Sequence, residues 1–262
     1  MFFDVKTTLA ELLDRARIDA APLDRDRLQG ALSLAEGYSV QDDFHTLAKR
    51  AGRRVAGWKI GLTTPAAQAA FGATEPMLGV IYADTVHSSG SKVNLDRLIS
   101  PRIEGEVLLE IGTPPAVDAD DSALLASLAS VRPAFEIADS RIAGWPGQVG
   151  LAVADNACCA AVITQSAGAP APVLDFTGAR SVLTADGVAV ASGLTSECMG
   201  GILAAYAWLV GILARQKRTL SPGDIVLCGA IGGAVPLLAG TAYRLQIEGL
   251  EPVTMTTKEH GQ

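Results

Sequence analysis

The chain has 262 residues, of which 49% are hydrophobic and 19% charged, with a formal charge of −7 and a pI near 5.0. That composition folds around a core and excludes a disordered chain. No basic run exceeds a few residues, which excludes nucleic acid as a partner. The cysteines, Cys158, Cys159, Cys198 and Cys228, form no C-x-x-C pair, so they read as reduced thiols of a cytoplasmic protein rather than a zinc knuckle or a disulfide framework.

In chain order, "MFFDVKTTLAELLDRAR" places Asp4 and Lys6 where a secretion signal needs an apolar run. Residues 5–52 read as helical, with "DRDRLQGALSLAEGY" and "SVQDDFHTLAKRAG" spacing their apolar residues three and four apart. "RVAGWKIGLTT" is strand-like, and "PAAQAAFG" is a short helix with Thr64 as cap and Pro65 in its first position. "MLGVIYADTVHSSGSKVNL" mixes short strands and turns, with His87 on an exposed turn. After the strand "PRIEGEVLLEIG", "TPPAVDADD" is a loop and "SALLASLASV" a helix capped by Asp121 or Ser122. "RPAFEIADSRI" is again a strand, and "RSVLTADGVAVASG" a hairpin turning on Asp186-Gly187. "CMGGILAAYAWLVGILA" runs seventeen residues without a charge. It falls short of the roughly 20 needed for a membrane span and reads as a helix buried all round. "LSPGDIVLCGAIGGAVPLL" leads through a turn to a strand and a glycine-rich loop, and "AYRLQIEGLEPVTMT" forms terminal antiparallel strands. The division is a helical amino-terminal segment, 1–53, on a β-rich body, 54–262, the two forming one structural unit.

The chemistry concentrates on two strands. In "PRIEGEVLLEIG" the odd positions Ile103, Gly105, Val107, Leu109 and Ile111 make one apolar face, which leaves Glu104 and Glu106 side by side on the other. Like charges that close disfavour each other's ionisation unless a cation lies between them. Glu136 is a third carboxylate in core-like company. Three converging carboxylates would form a hard-oxygen site for magnesium or manganese. The competing reading pairs them with Arg102, Arg132 or Arg141, and spacing alone does not separate the two. Lys59, between Trp58 and Ile60, either meets a carboxylate and serves proton transfer or charge stabilisation, or reaches solvent.

Six stretches, "GRRVAGWKIGLTTPAAQ" (52–68), "PRIEGEVLLEIG" (101–112), "RPAFEIADSRI" (132–142), "VADNA" (153–157), "ASGLTSECMG" (191–200) and "SPGDIVLCGAIG" (221–232), span nearly the whole chain. In this order they resemble the 2-keto-4-pentenoate hydratases and 4-oxalocrotonate decarboxylases of the fumarylacetoacetate hydrolase superfamily. The resemblance implies a mixed α/β fold, a strongly curved, barrel-like β-roll with a helical amino-terminal segment. It further implies one Mg2+ or Mn2+ held by Glu104, Glu106 and Glu136, with Lys59 as the catalytic residue. Leu62, Asp155, Asn156 and the loop Gly229, Ala230, Ile231 and Gly232 are the implied substrate-binding residues, the loop acting through its backbone N–H groups.

The implied reaction is that of a metal-dependent lyase on a small 2-oxo or 2-hydroxy-dienoic acid from aromatic-compound catabolism, either hydration or 4-oxalocrotonate-type decarboxylation. The implied setting is a cytoplasmic homo-oligomer, able to work with a companion pathway enzyme and in contact with neither nucleic acid nor membrane. The sequence departs from the hydratase pattern at Trp58, in place of an arginine, at Met77, in place of an aspartate, and at Cys158, often a serine. A thioether neither takes a proton nor orients water, so Met77 points to a decarboxylase or to a bulkier, less polar substrate. Two other readings stand. A C–C hydrolase of acylpyruvates requires a general-base dyad near His45, which reads as a surface residue. A non-catalytic scaffold partner of an active paralogue is weakened by the retention of Lys59 and all three glutamates.

Overall fold

The computed structural model describes residues 8–28, 30 and 32–259. Thr8 and Ser33 each close a capping box on the glutamate three residues ahead, and so start helices α1 (Leu9–Asp19) and α2 (Leu34–Arg50). The helix predicted over "DRDRLQGALSLAEGY" therefore begins only at Leu34. Ahead of it, Asp24 caps a single 3-10 turn at Arg25–Arg27, and Gly30 takes a left-handed φ of 88° that no right-handed helix accommodates.

The body follows as β1 (Val55–Gly61), α3 (Pro65–Ala70), β2 (Met77–Tyr82), β3 (Val86–Ser88), β4 (Lys92–Val93) and β5 (Arg102–Ile111). Next come α4 (Asp121–Ala126), β6 (Leu128–Ala138), α5 (Val149–Ala154), β7 (Cys159–Thr164) and the hairpin β8 (Arg180–Ala185) and β9 (Val188–Leu194). The chain closes with α6 (Ile202–Arg215), β10 (Ile225–Leu227), β11 (Val235–Pro236), β12 (Ala242–Ile247) and β13 (Val253–Thr257). Thr64 caps α3 through the Ala67 N–H, as predicted. Helix α4 is capped by Asp120 rather than Asp121 or Ser122, and it stops at Ala126 because the residues from Leu128 onward pair with β5.

Two open sheets carry these strands, one in the order β2-β1-β10-β5-β6-β7-β3 with β11 on the end of β5, the other β4-β13-β12-β8-β9. The curved roll is thus two sheets with free edges rather than a closed barrel. They meet on the odd face of β5, where Ile103, Val107, Leu109 and Ile111 are fully buried beside Leu183, Leu245 and Val253. Gly105 belongs to that face because a Cβ there would lie 2.6 Å from Leu245 Cδ1.

Helix α6 buries Ile202, Ala205, Tyr206, Leu209, Val210, Ile212 and Leu213, while Leu203, Ala207 and Trp208 stay half-buried. It is therefore one-sided rather than buried all round. The apolar run Thr195–Arg215 has the length and composition of a membrane span. Its α-helix has only 14 residues, however, and one face of it is set into the core.

Candidate metal centre and active site

Antiparallel pairing sets Glu104 of β5 directly opposite Glu136 of β6, with Glu106 one pleat further along, opposite Ala134. One carboxylate oxygen from each glutamate lies within 4.8 Å of the others. Glu106 and Glu136 are fully buried and Glu104 partly so. Lys59, 3% exposed, arrives from β1 and sets Nζ 3.1 Å from Glu136 Oε1, while donating a 3.3 Å hydrogen bond to the Ala157 carbonyl. Space for its stem comes from Gly79 on β2, where a Cβ would lie 2.9 Å from Lys59 Cγ. Glu106 Oε2 accepts the Gly229 N–H at 2.7 Å.

Glu106 Oε1 and Glu136 Oε2 accept no hydrogen bond from the described residues, and Glu136 Oε1 has only the Lys59 ammonium. Buried acceptors are normally satisfied, and one ammonium cannot balance three carboxylates once all three ionise. Three converging hard oxygens that resist ionisation for want of positive charge fit a divalent cation. Burial, then Glu136, drives the Glu104 carboxyl up to about 7 against the pull of Lys59 and Arg102, and the same two causes push Glu106 well above the usual range. Burial alone would depress Lys59, but Glu136, Glu104 and Glu106 overcome it and hold the ammonium protonated.

These shifts give a pH dependence. Glu104 and Glu106 bind their protons more tightly folded than unfolded. Their contribution to stability is complete below the ordinary value of 4.5 and is lost, for Glu104, as pH rises through about 7. Urea midpoints in EDTA should therefore be lower at pH 8 than at pH 6. A flat profile would mean that the carboxylates are not coupled in this way.

The cluster opens on a cavity of about 470 Å³. Lys59 and Glu104 line it together with Leu62, Phe71 and Met77, Arg102 and Trp145, Ala157 and Cys158, Glu197 and Ala230. Leu62 adopts a left-handed φ of 57° there, and its carbonyl accepts Gln68 Nε2 at 3.0 Å. Met77 sits at the position suspected from the sequence, 5% exposed.

In the glycine-rich loop, the Gly229, Ile231 and Gly232 N–H groups already donate to Glu106, the Gly105 carbonyl and Glu197. That leaves Ala230 N–H without an acceptor among the described residues. Asp155 and Asn156 do not line this cavity. Asp155 is buried in an ion pair with Arg141, and Asn156 clasps Val80 through both its amide oxygen and its amide nitrogen. His45 is half-buried rather than on the surface, with Nδ1 on the Tyr82 hydroxyl. Burial, then Arg218 and Arg53, lowers its pKa to about 3.

Sequence reasoning missed the roles of Arg102, Trp145 and Glu197 in the cavity wall. Arg102 carried a signal, since it shares the even face of β5 with Glu104 and Glu106; its guanidinium lies 4.9 Å over the Trp145 ring.

The fold is that of the fumarylacetoacetate hydrolase superfamily. The 4-oxalocrotonate decarboxylase of Pseudomonas putida G7, complexed with magnesium and adipate, matches with a TM-score of 0.88 over 95% of both chains, at 26% identity. No protein-family model matches the chain. The TodF product hydratase of Pseudomonas putida F1 is 34% identical over 248 residues, 93% of this chain and 91% of the relative. The 2-keto-4-pentenoate hydratase of Burkholderia vietnamiensis G4 is 34% identical over 240 residues, 91% of each chain. This chain belongs to the 2-keto-4-pentenoate hydratase family.

Proposed function

We propose that the chain is a divalent-metal-dependent lyase that adds water to a small 2-oxo or 2-hydroxy-dienoic acid. The observation that carries this reading is the pair of unpartnered carboxylate oxygens, Glu106 Oε1 and Glu136 Oε2, grouped with Glu104 at a cavity that Leu62, Phe71 and Met77 make apolar elsewhere. Glu104, Glu106 and Glu136 would hold Mg2+ or Mn2+. When bound, the ion supplies Lewis-acid stabilisation of negative charge on the 2-oxo group.

The protein's own side chains do the rest. Lys59 is the catalytic residue: its Nζ holds the developing negative charge of the acid and relays to the carbon chain the proton that the 2-hydroxyl loses as enol becomes ketone. Water then gives its OH to the far carbon and its proton to the neighbouring one. Leu62, Phe71 and Met77 exclude water along the carbon chain, and the free Ala230 N–H takes a substrate oxygen. Asp155 and Asn156 brace the wall that orients Lys59. The half-buried face of α6, with Leu203, Ala207 and Trp208, suits a contact with a second copy of the chain or with a companion pathway enzyme. A cytoplasmic location accords with the reduced cysteines.

One observation favours the decarboxylase as a second reading. Arg102 stands at the same cavity, ready for the second carboxylate of a dicarboxylic substrate. The released product, a 4-hydroxy-2-oxo acid or carbon dioxide, separates the two. The first experiment is a thermal-shift titration of EDTA-stripped protein with magnesium, with and without oxalate as a planar 2-oxo-acid mimic. Magnesium should raise the melting temperature and oxalate should enlarge the rise; no response to either would remove the metal-lyase reading.

A further inference from the structure

A second cavity, of about 380 Å³, lies behind the active site and has no part in the chemistry above. Although the chain carries a charge of −7, four arginines from separate parts of the sequence, Arg17, Arg53, Arg97 and Arg141, line this cavity. Asp139 is the carboxylate in its lining, and Asp14, Asp84 and Asp155 pair with Arg17, Arg53 and Arg141 from outside it. Both Asp139 oxygens are occupied, accepting the Ile99 and Ser100 N–H groups at 2.9 and 2.7 Å.

The guanidinium groups are prepared to different degrees. Arg141 spends its donors on Asp155 and on backbone carbonyls. Arg17 and Arg53 use only Nε and Nη2, on Asp14 and Asp84, so Nη1 of each has no partner among the described residues. Arg53 is nonetheless immobilised: its side chain is 10% exposed and its guanidinium lies 4.0 Å over the Tyr82 ring. Arg97 is exposed and has no ion-pair partner among the described residues. Buried Phe44 and Val80, with Leu98, give the same cavity an apolar side, and the 53% exposed Ile18 stands at its edge.

One fixed guanidinium, that of Arg53, flanked by the unspent N–H groups of Arg17 and Arg97 beside an apolar surface, matches a carboxylate on a hydrophobic body. We propose that this cavity is a second ligand site. It takes a small aromatic or apolar monocarboxylic acid, with the carboxylate on Arg17, Arg53 and Arg97 and the body against Phe44, Val80 and Leu98.

The two cavities share a thin wall. Asn156 and Cys159 face the arginine cavity, and Ala157 and Cys158 face the metal cavity. Asn156, Ala157 and Cys158 have φ of 52°, 50° and 60°, three left-handed residues in succession, a costly conformation for residues other than glycine.

Calorimetric titration of the full, EDTA-treated chain with benzoate tests the site without depending on the proposed lyase activity. Saturable one-to-one binding is expected. It should weaken by about tenfold or more in Arg97→Gln, an exposed change that leaves the fold intact, and stay unchanged in Glu106→Gln. Benzyl alcohol, without the charge, and inorganic phosphate, without the apolar body, should each bind at least about tenfold more weakly. Three results would overturn the proposal: no saturable binding at millimolar benzoate, binding lost in Glu106→Gln but kept in Arg97→Gln, or phosphate binding as tightly as benzoate.

Discussion

Lys59→Met is expected to lower the stability of the metal-free chain by about 3–5 kcal/mol at pH 8, the usual cost of stripping one partner from a buried ion pair. The methionine fills the same channel beside Gly79, so the loss isolates charge from packing. Lys59 Nζ, 3.1 Å from Oε1, is the ion-pair partner of the fully buried Glu136, so the variant leaves that carboxylate facing Glu104 and Glu106 without it. Saturating magnesium should return much of the stability, because the cation takes over the neutralising role. It should not return turnover, which is expected to fall by about 10²–10⁴-fold with the loss of the proton-bearing group. Urea midpoints with and without magnesium, read beside kcat, separate the two roles. A variant that keeps both its metal-free stability and its kcat would remove Lys59 from the site.

Glu106→Gln should behave in the opposite sense. The glutamine oxygen can still accept the Gly229 N–H, while a buried carboxylate that resists ionisation disappears. Metal-free stability should therefore equal or exceed that of the parent chain. The stabilisation by magnesium should vanish, and activity should drop by more than about 100-fold, since even groups one layer behind a metal ligand cost 10–100-fold. One variant weakens the empty protein and the other does not, yet both abolish turnover. Generic damage to the fold would not produce that pairing. Loss of stability in Glu106→Gln would instead mean that the carboxylate is held by contacts other than the cluster.

Much of the site was visible in the alternation of one strand. The apolar odd face of "PRIEGEVLLEIG" fixed which way Glu104 and Glu106 must point, and Glu136 and Lys59 stood out as charges in core-like company. The motif order supplied the fold class. What the sequence hid depends on partners far along the chain. Asp155 looks like a site residue until Arg141 claims it, and His45 looks exposed until Tyr82 covers its ring. The glycine-rich loop promised several free N–H groups, but Glu106, Gly105 and Glu197 already hold three of them. No local pattern marks Arg17, Arg53, Arg97 and Arg141 as neighbours. The start of α2 was legible in principle, through the Ser33–Glu36 capping box, but the apolar spacing upstream outweighed it.

The pairing of Glu104 with Glu136 has a consequence for how the chain reaches its native state. A slip of β5 by a single residue against β6 would turn every side chain to the opposite face. Glu104 and Glu106 would then be driven into the contact between the two sheets, where Gly105 leaves room only for Leu245, and two unpaired carboxylates in that apolar layer would cost several kcal/mol each. A misaligned pairing of these two strands is therefore penalised once the second sheet packs over it. The acidic pair that makes the candidate metal centre also fixes the alignment of the strand that carries it.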